Sequence, residues 1–150
     1  MDFNDYIEAS KMQELVNSAH DKCSAKRVSF KELINGDHLL FLEDIAMIAG
    51  KLYAQVNNGG FLQWCDNGYA DKGQVDFLLS CVKTDAVSEV VIMAERAITL
   101  FQDIERAYDE YEYYEPDTEE IDRLTSAFYE INEQFFRDVN EWLLTLDGEQ

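Results

Sequence analysis

The sequence predicts an all-α fold, a single compact domain of three long amphipathic helices and several short ones. Three observations predict it. The 150 residues include one proline and seven glycines, too little punctuation for a many-stranded β protein. Apolar residues make up 47% and aromatic residues 13%, which supplies one ordinary core and argues against global disorder. Over long stretches the apolar residues recur at steps of three and four, the period of a helix with one buried face.

Residues 3–19 read as a short helix with Phe3, Ile7, Leu15 and Ala19 partly on one face. Residues 20–29 carry most of the local positive charge and read as a loop. Ser29 with Glu32 forms a candidate capping box, and Asn35-Gly36 marks a turn. Asp37 is the candidate N-cap of a helix over about 38–56, whose Phe41, Ile45, Ile48, Leu52 and Val56 keep helical spacing. Ala46, Ala49 and Gly50 would let another helix approach closely. Asn57-Asn58-Gly59-Gly60 should end this helix, because Asn and Gly tolerate positive φ. A short helix over 61–66 then ends at Asn67-Gly68, and another is expected near 74–83.

Asp85 is the candidate cap of a long helix to about 113, with Val87, Val90, Val91, Ala94, Ile98, Phe101, Ile104, Tyr108 and Tyr111 on its stripe. Glu115-Pro116 interrupts it, since the residue before proline avoids the α region. Asp117 and Glu120 open the last helix in the manner of a capping box. Its stripe of Ile121, Leu124, Phe128, Ile131, Phe135, Val139, Trp142 and Leu146 is the cleanest in the chain, over 118–146.

Composition also excludes functions. With 31 Asp and Glu against 12 Lys and Arg, the net charge is −19. Direct nucleic-acid binding, which runs on Lys and Arg displacing counterions, does not fit, and neither does an anionic membrane surface. A basic partner does fit. No apolar run reaches a membrane span, and the start of the chain lacks a signal peptide's basic and apolar regions, so a cytoplasmic location is expected. Cys23, Cys65 and Cys81 are odd in number and widely spaced, as expected of free thiols. His20 and His38 belong to no metal-ligand pattern, no nucleotide or hydrolase motif occurs, and neither a metal, a cofactor nor a catalytic residue is expected. The stretch 71–77 imitates half of a calcium loop, but Gly68, Ala70, Lys72 and Leu79 stand where ligands are required.

The acidity is uneven. Residues 101–150 hold 16 acidic and 3 basic residues. The candidate partner-binding acids are Asp103, Asp109, Glu110, Glu112, Glu115, Asp117, Glu119, Glu120 and Asp122. Carboxylates four residues apart on a helix advance about 6 Å, and phosphates of one DNA strand advance about 3.4 Å along the duplex. A row of such acids is a coarse image of a phosphate backbone. The same acids could equally keep the surface solvated. Two further readings stay open. One is an interaction or immunity-type module using exposed aromatics such as Tyr111, Tyr113 or Tyr114. The other is a small-molecule site among the amides of the 57–67 corner.

The string Tyr53-Ala-Gln-Val-Asn-Asn-Gly-Gly-Phe-Leu-Gln-Trp64, followed by Asn67-Gly68, resembles the signature of the DNA-mimic protein family, with Gln55 where a Glu is usual. Segments 94–101 and 124–135 are similar to two further family segments, and together the three span about 39–146. The resemblance implies an all-α fold. For the founding type it implies a homodimer whose acidic surface imitates double-stranded DNA and occupies a helix-turn-helix repressor. A nucleoid protein or a nuclease would be a partner of the same kind. Asn57, Asn58, Gly59, Gly60, Phe61, Gln63, Trp64 and Asn67 are the signature positions, expected to define the fold rather than the partner surface.

Overall fold

The computed structural model describes residues 2–27, 39–111 and 115–148. Among them are six helices: α1 (Phe3–Glu8), α2 (Lys11–Lys26), α3 (Phe41–Asp66), α4 (Lys72–Cys81), α5 (Asp85–Glu110) and α6 (Glu119–Gly148). No strand occurs among the described residues. The fold is all-α, with three long helices and three short ones, as the periodicity predicts.

The N-terminal region departs from the expected single helix. Ser10 divides it: its hydroxyl donates to the Ile7 carbonyl at 2.6 Å and accepts from the Gln13 N–H at 3.0 Å. One side chain thus closes α1 and caps α2. The expected loop over 20–29 is also corrected, because α2 continues to Lys26 and ends on Arg27 in the left-handed region (φ 56°). Of the charges of 20–27, Asp21, Lys26 and Arg27 are exposed, while Lys22 turns to the buried Glu43. Ser29, Glu32, Asn35-Gly36, Asp37 and His38 lie outside the described residues. The third helix starts at Phe41, and Glu43 accepts from the Leu40 N–H at 2.9 Å.

α3 is two helices joined at the predicted corner. Gly59 (φ −150°, ψ 16°) and Gly60 (φ 80°, ψ 176°) leave helical geometry. The break orphans the Phe61 N–H, and Thr125 Oγ1 of α6 accepts it at 3.0 Å. Gly60 permits that approach twice over. Its φ suits glycine, and a Cβ there would lie 2.9 Å from Thr125 Oγ1. Gly50 does similar work at the α2–α3 crossing, where a Cβ would meet Val16 Cγ2 at 2.9 Å.

α6 packs along α3 and α5, α2 packs on α3, and α4 packs on α5. One hydrophobic core joins them. Its aromatic centre is Phe61, Phe128 and Phe135, with Phe61–Phe128 and Phe128–Phe135 ring centroids 5.8 and 6.1 Å apart. Two further buried polar residues serve helix ends. Asn140, 2% exposed, accepts from the Met12 N–H at 3.0 Å and donates to the Tyr6 hydroxyl at 3.0 Å. Glu43, 1% exposed, accepts from Ser18 and Lys22 of α2 as well as from the Leu40 N–H.

Two other expected caps are corrected. Thr84, not Asp85, caps α5, its hydroxyl accepting from the Val87 N–H at 3.2 Å. Asp117 does accept from the Glu119 N–H, but Glu120 completes no capping box and turns to Arg96. The buried stripe of α5 also ends earlier than expected, at Ile104, leaving Tyr108 and Tyr111 exposed.

Candidate acidic surface

The position of the acids follows from how α6 meets α5. Arg96 Nε and Nη2 donate to the two carboxylate oxygens of Glu120 at 2.8 and 3.1 Å, which fixes the first turn of α6 beside the middle of α5. α5 then continues from Arg96 to Glu110, about 21 Å along its axis, and α6 begins at Glu119. The candidate acids therefore fall into two groups. Asp103, Asp109 and Glu110 lie on the last turns of α5, while Glu115, Asp117, Glu119, Glu120 and Asp122 surround the start of α6. All eight are exposed. Glu112 lies outside the described residues, as do Tyr113 and Tyr114.

The two groups differ in what holds them. At the start of α6 negative charge is favourable, because unpaired N–H groups and the helix dipole face it. There Asp117 caps the Glu119 N–H, Asp122 accepts from the Thr118 hydroxyl at 3.1 Å, Glu119 pairs with Arg123, and Glu120 pairs with Arg96. The Arg96 pairing holds the Glu120 carboxyl below its ordinary value.

The end of α5 is the reverse. Asp109 and Glu110 occupy the last turn, where acids oppose the dipole, and that turn holds no basic residue. Asp103 pairs with Arg106 at 2.9 Å. Asp109, Glu110 and Glu115 pair with no cation among the described residues. Glu105, exposed four residues before Asp109, extends the row. Glu105 is not among the acids that the sequence singles out. Its i,i+4 spacing to Asp109 was the available signal.

The signature residues sit elsewhere, and their polar groups bond to Gln55 of α3 and to Thr125 and Asn132 of α6. Gln55 Oε1 accepts from Gln63 at 3.1 Å and Asn67 at 2.8 Å, and Asn57 Oδ1 accepts from Asn132 at 2.8 Å. Phe61 and Trp64 are buried, with rings 5.9 Å apart, and Asn58 is exposed. Gly59 leaves room for Gln63, whose Oε1 would lie 1.8 Å from a Cβ.

Residues 42–146 match the family described as DMP19-like protein. The chain belongs to the DMP19-like protein family. The match runs from the first turn of α3 almost to the end of α6, so it takes in both the glycine corner and the acidic ends of α5 and α6. The DMP19-like family is not a known enzyme family. No curated protein and no solved structure matches the chain.

The remaining features offer little chemistry. No group of three or more His, Cys, Asp or Glu able to hold a metal ion occurs among the described residues. The three cysteines are free. Burial, with the charges of Glu105 and Asp66, pushes the Cys65 thiol up to about 12, so it stays protonated and inert. No helix among the described residues is long and apolar enough to cross a membrane.

Proposed function

We propose that this protein is a non-enzymatic DNA mimic of the cytoplasm. Its carboxylates occupy the basic surface of a DNA-binding protein and thereby sequester or regulate it. The partner class is a helix-turn-helix repressor, a nucleoid protein or a nuclease, each of which presents Lys and Arg to phosphates. Family membership supports this reading, and so does the net charge of −19.

The observation that carries it is the end of α5. Charges that work against their own helix and meet no counter-ion among the described residues are a cost to the isolated chain. A basic partner would reverse that cost. Asp117, Glu119, Glu120 and Asp122 at the start of α6 are already employed by the fold, so the weight of binding is assigned to Asp109 and Glu110 at the end of α5 and to Glu115 ahead of α6, with Glu105 one turn before Asp109. A homodimer would join two such surfaces, and its mass by light scattering would be twice that of the chain.

The test is a pull-down of the tagged protein from nuclease-treated host lysate, eluted with salt and run beside the D109N/E110Q/E115Q variant. DNA-binding proteins should elute from the wild type at moderate salt and be missing from the variant. Equal retention by a folded variant overturns the site assignment. Retention of no basic protein overturns mimicry.

A further inference from the structure

Between α1, α2 and α3 lies a cavity of about 280 Å³, far from the acidic ends of α5 and α6 in the chain. Ile7, Met12, Val16, Tyr53 and Phe136 make its wall largely apolar, and His20 and Lys51 line it too. Lys51 is the unusual residue. In a chain with 31 acids and 12 bases, its half-buried ammonium meets no carboxylate among the described residues. Its Nζ instead lies 2.8 Å from Nε2 of His20 and 5.7 Å from the centre of the Tyr69 ring. Beside an ammonium that imidazole nitrogen can only accept, so the ring is neutral. Burial and the Lys51 charge both lower the His20 pKa, against the pull of Asp21. Burial lowers that of Lys51 as well.

Among the described residues this half-buried cation has no carboxylate to offset its desolvation. The hydrogen bond to His20 uses one of the three N–H donors of the ammonium. An apolar cavity with Lys51 among its lining residues matches a small molecule with an apolar body and an anionic end. We propose that this cavity binds a small monocarboxylate whose carboxylate pairs with Lys51 and whose hydrocarbon body fills the space against Met12, Val16 and Phe136. The volume falls near the lower end of ligand pockets, about 300 Å³, so the body is no larger than one ring and a short chain. This site is independent of the acidic surface and stands or falls apart from it.

The probe is 3-phenylpropionate, with its neutral analogue 3-phenylpropanamide as comparison. Both are titrated into the isotope-labelled full chain and followed by amide shifts, with affinities from calorimetry. The expected result is saturable shifts at Met12, Val16, Gly50 and Lys51 with a roughly millimolar dissociation constant. The amide should bind at least about tenfold more weakly, as expected for loss of a charged hydrogen bond. Lys51→Met should weaken the carboxylate to the level of the amide. Absence of saturation at these residues, equal binding of the two probes, or unchanged binding by a folded Lys51→Met variant overturns the proposal. The two-probe comparison needs no variant, so a misfolded Lys51→Met leaves the test intact.

Discussion

Gly60 and Gly68 have nearly the same positive φ, 80° and 81°, but not the same surroundings. Nothing lies within 4 Å of a Cβ at Gly68, whereas one at Gly60 meets Thr125. Gly68→Ala should therefore cost only backbone strain, about 1–2 kcal/mol. Gly60→Ala should cost clearly more, because the clash displaces the acceptor of the Phe61 N–H. Urea unfolding of the two variants measures the difference. Asn140→Ala should cost about 1–3 kcal/mol, the penalty for leaving the buried Met12 N–H unpaired. The glycine corner is legible in the sequence because its conformational demand is local. The roles of Thr125 and Asn140 are not, because their partners lie 64 and 128 residues away. The only sequence signal was a polar residue embedded in the α6 stripe.

At the scale of elements, the long helices are legible and their ends are not. Periodicity reports which face is buried, so α3, α5 and α6 emerge from spacing alone. A boundary depends on one side chain choosing one N–H, and Ser10, Thr84 and Glu43 each fill a part that the pattern assigns to other residues or to none. Glu43 joins α2 to the start of α3 and carries a pH dependence. Burial alone would raise its pKa, but hydrogen bonds from Lys22, the Leu40 N–H and Ser18 outweigh that and hold it below the ordinary 4.5. Its contribution to stability is thus complete above that value and is lost as the pH falls through and below it. Glu43→Gln should be less stable at pH 7 and lose stability less steeply below pH 4.5 than the wild type, by thermal melts across that range. The end of α5 gives an opposite expectation. D109N/E110Q should raise stability by roughly 0.3–1 kcal/mol per site, because it removes charge that opposes the helix dipole. A loss of stability in that variant would show that these acids serve the fold.

At the scale of the whole molecule, the charge of −19 was plain from composition, but its division into two groups was not. The sequence places ten acids within residues 103–122, yet only the Arg96–Glu120 link shows that α6 begins beside the middle of α5. It also separates acids that the fold employs from acids that it merely carries. Self-repulsion at this charge predicts that the melting temperature rises as salt is added up to about 0.5 M, where screening shortens to a few ångströms. Binding to a basic partner should weaken over the same range, so salt should move stability and affinity in opposite directions. The central claim is that the carboxylates at the end of α5, together with Glu115, stand in for DNA phosphates. The most direct test is competition. A fluorescent DNA duplex is bound to the protein recovered by the pull-down, and the chain is titrated in while anisotropy is followed. The account predicts that the wild type displaces the duplex completely and that D109N/E110Q/E115Q, equally folded, does not. A complex that holds DNA and this chain together, or displacement by the variant as effective as by the wild type, would contradict it.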